Sequence, residues 1–203
     1  MKPIALTDLI AAMERQRYQI FESSHRPYNL NLVGIRSADP TPNVFNDQLW
    51  VFWRNKQSSS KSSAWDTNVY RITTDPGLYW LQNPMNPSGT GILKPGQYPG
   101  LWKIGIHNGK YEALIQAAPC TLIRDYNRDN KLDFHSGREE TGLFGVNLHH
   151  AGENSATVDK WSAGCQVFAE LREFNEFMDL ARMARDFWGN SFTYTLMRED
   201  EIS

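Results

Sequence analysis

The chain has 203 residues, 40% of them apolar and 12% aromatic, which is enough to bury one core with short additions. Its formal charge is -2 and its cations and anions are interspersed, which excludes the concentrated basic face that tracks nucleic-acid phosphates or anionic lipid. Met1 to Arg15 holds only short apolar pairs broken by Asp8 and Glu14, and no run approaches transmembrane length, so neither a standard secretory leader nor membrane insertion is expected.

Thr7 is placed to cap a short helix whose Leu9, Ile10 and Met13 share one face. Residues 1–28 read as a helical appendage and residues 29–203 as the main domain. From Leu30 the pattern changes to short runs rich in β-branched and aromatic residues: Leu30–Ile35, Gln48–Trp53, Val69–Thr73, Trp102–Ile106 and Glu112–Ala117, then Thr121–Arg124 and Leu143–Leu148. Turn signals separate them, among which Asn108-Gly109 between two alternating runs marks a hairpin. Gln57–Ser63, with five serines, reads as an exposed loop. Near the end, Leu171, Phe174, Phe177, Met178, Ala181 and Ala184 recur at helical spacing until Gly189 supplies a stop, and a last strand follows over Ser191–Leu196. The expected fold is mainly β with one packed C-terminal helix, an α+β arrangement built as a β-sandwich or open barrel with a short N-terminal helix.

Two cysteines are present, and nothing in the composition suggests a disulfide scaffold, so both are expected as thiols. Cys120 lies in the apolar run Ala117–Ile123 and reads as a small buried hydrophobe. Cys165 stands in a different setting: Gly-Val-Asn-Leu-His-His-Ala-Gly from Gly145, a polar connection, then Val-Asp-Lys-Trp-Ser-Ala-Gly-Cys-Gln-Val-Phe ending at Phe168. A strand delivers two histidines and a glycine turn then delivers the thiol. A cysteine nucleophile reacts as thiolate and needs a base nearby, while a small neighbour such as Gly164 lets a substrate approach the backbone. The amides around Gly164 and Cys165 are candidates to face a developing oxyanion.

His149, a connection of twelve residues, and then Ser162-Ala-Gly-Cys resembles the signature of the L,D-transpeptidase (YkuD-like) family, in which a histidine precedes a Ser/Thr-His-Gly-Cys box. The order matters, because papain-like and NlpC/P60-like enzymes place the cysteine first. Upstream, Arg71-Ile-Thr-Thr-Asp-Pro-Gly and Leu93-Lys-Pro-Gly-Gln-Tyr resemble the strand and hairpin that precede the family's site, so the resemblance spans Leu30 to Leu196. It implies an L,D-transpeptidase-like fold and a metal-free reaction on peptidoglycan stem peptides. Cys165 would take the acyl group and His149 would act as base. The carbonyl of His150 would orient the imidazole, and Ser162 would support the turn or the histidine. Transfer to an amine and hydrolysis by water, as transpeptidase, carboxypeptidase or endopeptidase, are both open, and the protein would reach the wall by release or a non-Sec route. Ala163 stands where the box has histidine, and Val167 stands where the family carries a polar residue two places after the nucleophile. These departures motivate an alternative, a catalytically silent peptidoglycan- or glycan-binding module of a phage particle or secretion effector. A metal hydrolase built from His149 and His150 with His107, His135 or Asp133 lacks any H-E-x-x-H spacing, and Ser162 lacks a G-x-S-x-G frame.

A second constellation is Asp125, Asn127, Asp129 and Asp133, which match the first, third, fifth and ninth positions of an EF-hand-like calcium loop, with the Lys131 carbonyl at the seventh. Asn130 replaces the turn glycine and Ser136 replaces the bidentate glutamate, a role Glu139 or Glu140 would have to fill by folding back. A structural calcium ion and a plain acidic turn both remain open. The aromatics Trp50, Phe52, Trp53, Tyr79, Trp80 and Trp102 are candidates for a substrate groove, with core packing as the default.

Overall fold

The computed structural model describes residues 3–54 and 65–202; the serine-rich Gln57–Ser63 lies outside the described residues. The chain is mainly β, with two sheets, a long C-terminal helix and a short N-terminal one. In order it forms α1 (Leu6–Arg15), β1 (Asn31–Arg36), β2 (Asp47–Arg54), β3 (Trp65–Thr73) and α2 (Leu78–Gln82). There follow β4 (Thr90–Leu93), β5 (Gly96–His107), β6 (Tyr111–Gln116), β7 (Cys120–Asp125), β8 (Glu139–Gly142), β9 (Leu148–His150) and β10 (Gln166–Phe168). Helix α3 (Leu171–Trp188), β11 (Phe192–Arg198) and a 3-10 turn over Glu199–Glu201 complete the chain.

Eight strands pair in the order β1-β11-β5-β6-β9-β10-β3-β2 and close on themselves, where a sandwich or open barrel was expected; β4-β7-β8 form a separate small sheet. Closure removes the free edges that an open sheet would leave. The parallel β1–β11 pair joins strands at opposite ends of the chain, and the successive strands β9 and β10 also pair in parallel, neither of which the local strand signals encode.

β1 is buried along its whole length because it is covered on both sides. Leu32 enters the barrel core with Leu49 and Val51 of β2, while Val33 and Ile35 turn outward with Trp50 and Phe52. Onto that outer face α1 lays Leu9, Ala12 and Met13, so the N-terminal helix shares a core with the barrel wall. Phe52 is fully buried there, and its truncation to alanine costs about 3–5 kcal/mol. The α1 N-cap is Ala5 rather than Thr7, without a side-chain cap: packing of the apolar face, not capping, fixes where this helix starts.

α3 places Phe174 and Phe177 against Phe168 of β10, with ring centroids 5.5 and 5.3 Å apart, and ends at Gly189 with φ 91°. Asn108 and Gly109 both take positive φ and turn β5 into β6 as their sequence predicts. The strand expected over Leu143–Leu148 is reduced to β9. Gln116 explains why: its Oε1 accepts from both Phe144 N–H and Val146 N–H at 2.9 Å, and its Nε2 donates to Gly142 O and Ala118 O. One side-chain amide thus replaces a strand partner, and Gly145 at φ 75° bends the chain between the two accepted amides.

Candidate active site

β9 and β10 run parallel, with Val167 level with His149 and Gln166 level with Leu148. Strand alternation separates two faces. Leu148 and Phe168 enter the barrel core, whereas Val167 packs in an outer cluster that Cys165 joins. His149 and Cys165 thereby come onto one outer face, and both line the same cleft of about 920 Å³. His150 takes the other face, its ring 5.0 Å from Phe174 and 4.4 Å from Tyr111.

His149 Nδ1 lies 2.9 Å from His150 O, so this nitrogen carries the proton and Nε2 keeps the lone pair. The Cys165 thiol is half-buried; it receives a weak contact from Asn147 N–H at 3.5 Å and donates to Gly145 O at 3.4 Å. Its hydrogen bonds are therefore to backbone, not to the imidazole. Burial pushes the thiol up to about 11, and burial followed by the charge of His107 lowers His149 to about 3. The resting pair is thus a neutral thiol and a neutral imidazole rather than an ion pair. Cys120 is likewise a free thiol, buried and raised to about 11.

Ser162 supports the turn and not the histidine. Its Oγ donates to Cys165 O at 2.8 Å and accepts from Gly164 N–H at 3.2 Å. The Gly164 amide is thereby committed, so of the Gly164 and Cys165 amides only Cys165 N–H is without a hydrogen bond among the described residues. Gly164 has φ 125°, and a Cβ there would stand 2.5 Å from the carbonyl oxygen of Gly91 in β4. The connection leading to this turn is braced from α2 and its approach: Gly77 N–H donates to Ser162 O at 2.8 Å and Trp80 Nε1 to Lys160 O at 3.0 Å. Asn43 accepts from Asp159 N–H at 2.6 Å and from Leu78 N–H at 3.1 Å.

Asn147, Lys110, Lys160 and Trp161 of the cleft were not singled out by sequence, and His107 was considered only as a metal ligand. His107 stacks on His149, with centroids 4.3 Å and planes 17° apart. Asn147 joins four groups: it donates its N–H toward Cys165, takes Gln166 N–H on its carbonyl and Gln116 N–H on Oδ1, and gives Nδ2 to His107 Nδ1 at 3.2 Å. Lys110, Lys160, Trp80 and the half-exposed Trp161 stand on the walls with Arg124, whose guanidinium is paired with Glu140 at 2.7 Å. No acidic side chain lines the cleft among the described residues. The Asn108-Gly109 hairpin could have located His107 at a strand end, and Trp161 adjoins Ser162 in the motif. Asn147 has no such signal. Of the six aromatics considered for a groove, only Trp80 lines the cleft; Trp53 and Trp102 fill the barrel, and Trp50 and Phe52 lie under α1.

The acidic run leaves the small sheet at the end of β7. Asp125 is buried, and its Oδ2 accepts from Asp133 N–H at 3.0 Å. Asn127, Asp129 and Lys131 are exposed on the loop beyond it. Neither glutamate folds back: Glu139 pairs with Lys94 and Glu140 with Arg124 across the small sheet. Among the described residues no three Asp, Glu, His or Cys side chains gather as a metal cluster. No helix among them is long and apolar enough to cross a membrane. No family model, curated protein or solved structure matches this chain, so its activity has to be argued from the chemistry of the cleft.

Proposed function

We propose that the chain is a cysteine-dependent acyl transferase or hydrolase of peptidoglycan stem peptides, with an L,D-transpeptidase-like fold. The observation that carries this reading is the pairing of β9 with β10, which brings an imidazole with a free Nε2 and a thiol to one wall of an acid-free cleft. Stem peptides bear free carboxylates, and Lys110 and Lys160 offer a wall that attracts them.

In this mechanism Cys165 Sγ attacks the carbonyl carbon after an L-centre while its proton passes to His149 Nε2. Because the thiol is raised and the histidine lowered, proton transfer accompanies attack instead of preceding it. Cys165 N–H is the amide available to the oxyanion. The C–N bond then breaks, the departing amine takes the proton from His149, and a thioester remains on Cys165. An incoming amine or water attacks the thioester, gives its proton to His149 and restores the thiol. His150 O holds the imidazole tautomer throughout.

The raised thiol and the absence of a hydrogen bond to the imidazole favour a second reading, a silent peptidoglycan- or glycan-binding module. Incubation of the protein and of Cys165→Ala with purified peptidoglycan and tetrapeptide muropeptides, followed by mass spectrometry of products and intact protein, separates the two. Products or an acyl adduct that the variant lacks are expected. Unaltered muropeptides together with retained polymer binding in both proteins would overturn the enzyme.

A further inference from the structure

Asp125 ends β7 and opens the loop to β8 with a carboxylate that is 1% exposed. Oδ2 accepts from Asp133 N–H, but Oδ1 has no hydrogen-bond partner and is itself buried. No lysine or arginine forms an ion pair with Asp125, Asp129 or Asp133 among the described residues; Arg124, next in sequence, pairs with Glu140 instead. A buried anion without counter-charge is costly unless protonated or bound to a cation.

We propose that the β7–β8 loop binds calcium, anchored by the orphan oxygen of buried Asp125 and completed by Asp129, Asp133, Asn127 Oδ1 and the carbonyl of Lys131. All the donors are oxygens, which selects a hard cation and disfavours zinc or copper. In the structure the three loop carboxylates are not gathered; binding draws Asp129 and Asp133 in toward Asp125, and amide and carbonyl oxygens complete the shell. Calcium accepts six to eight oxygens in irregular geometry, whereas magnesium demands near-ideal octahedra and keeps its water. The consequence reaches the cleft, since β7 also carries Leu122 and Arg124 into its wall.

The test uses the full chain stripped with chelator and titrated with calcium chloride, with magnesium chloride as control, by calorimetry and by thermal melting. Calcium at about a hundredfold excess over its dissociation constant should raise the melting temperature by roughly 5–10 °C. Magnesium at the same concentration should give less than half that rise. Asp125→Asn removes the anchor but perturbs a buried site, so exposed Asp129→Asn is the second variant. It should melt like the parent without calcium and bind calcium at least about tenfold more weakly. Absence of binding heat and of any calcium-dependent shift would overturn the site, as would an undiminished response in both variants. An equal response to magnesium would overturn the assignment to calcium.

Discussion

Gly164→Ala tests the packing that presents the nucleophile. The residue sits at φ 125°, outside the conformations an L side chain ordinarily adopts, and its added Cβ would meet Gly91 O at 2.5 Å. That oxygen belongs to the backbone of β4, which is itself paired to β7 and cannot swing aside like a side-chain tip. Backbone strain of about 1–3 kcal/mol and overpacking of about 1–3 kcal/mol together give a loss of roughly 2–6 kcal/mol. For a chain of this size that corresponds to a fall in melting temperature of roughly 4–24 °C. Urea unfolding gives the energy, and iodoacetamide labelling of Cys165 against Cys120 reports whether the thiol has moved relative to its accepting carbonyl at Gly145. A variant within about 0.5 kcal/mol of the parent would show that the turn relaxes freely, and the close approach to β4 would then not position Cys165.

Two further substitutions address the frame and the substrate wall. Gln116→Leu removes the acceptor of Phe144 N–H and Val146 N–H, so it should lose roughly 2–5 kcal/mol in urea unfolding and speed hydrogen exchange at those two amides, while Gln116→Glu, which keeps the acceptors, loses less. Lys110→Glu, at an exposed position on the cleft rim, should raise KM for carboxylate-bearing muropeptides by roughly three- to tenfold and leave kcat within about twofold; an unchanged KM would remove Lys110 from substrate binding.

What the sequence disclosed and what it concealed divide along physical lines. The α3 helix, the Asn108-Gly109 hairpin and most strands were legible because periodicity and turn chemistry are local. β10 and the closure of the barrel were not, since three-residue β10 exists through its pairing with β3 and β9 and carries little pattern of its own. The shortening of the strand expected over Leu143–Leu148 depends on Gln116, whose amide competes with the ladder from more than two dozen positions away. In the cleft, Cys165, His149, Ser162 and Gly164 lay within one readable stretch. His107 and Asn147 gain their place only from strand register: the β5–β6 hairpin carries His107 onto the ring of His149, and Asn147 meets it from the β9 side. The carbonyl of His150 is a backbone atom, so its part in orienting His149 was expected only from the family resemblance and not from residue type; it lies 2.9 Å from His149 Nδ1.

Two buried groups near the site give stability opposite responses to acid. His149 titrates at about 3 in the fold against an ordinary value of 6.5, so below pH 6.5 the unfolded chain takes up a proton that the native chain refuses. Stability is therefore lost as pH falls from 6.5 toward 3, by about 1.4 kcal/mol per pH unit at most. Asp47 behaves inversely. Burial and the facing Asp75 raise its carboxyl above 3.8, despite hydrogen bonds from Ser37 N–H and Thr74 N–H and the nearby Arg36. The native state then holds a proton that the unfolded state has released, and stability grows as pH falls toward 3.8. Asp47 ties Thr74 to β1 and β2, and Gly77, three residues beyond Thr74, holds Ser162 O, so both groups sit in the frame of the nucleophile turn. Urea midpoints at pH 7 and pH 4.5 should separate them. His149→Gln should lose less stability than the parent between these values, by roughly 2–3 kcal/mol, and Asp47→Asn should lose more. Equal losses in the parent and His149→Gln would mean that the imidazole accepts a proton within the fold, and a neutral base at His149 would no longer follow from its burial.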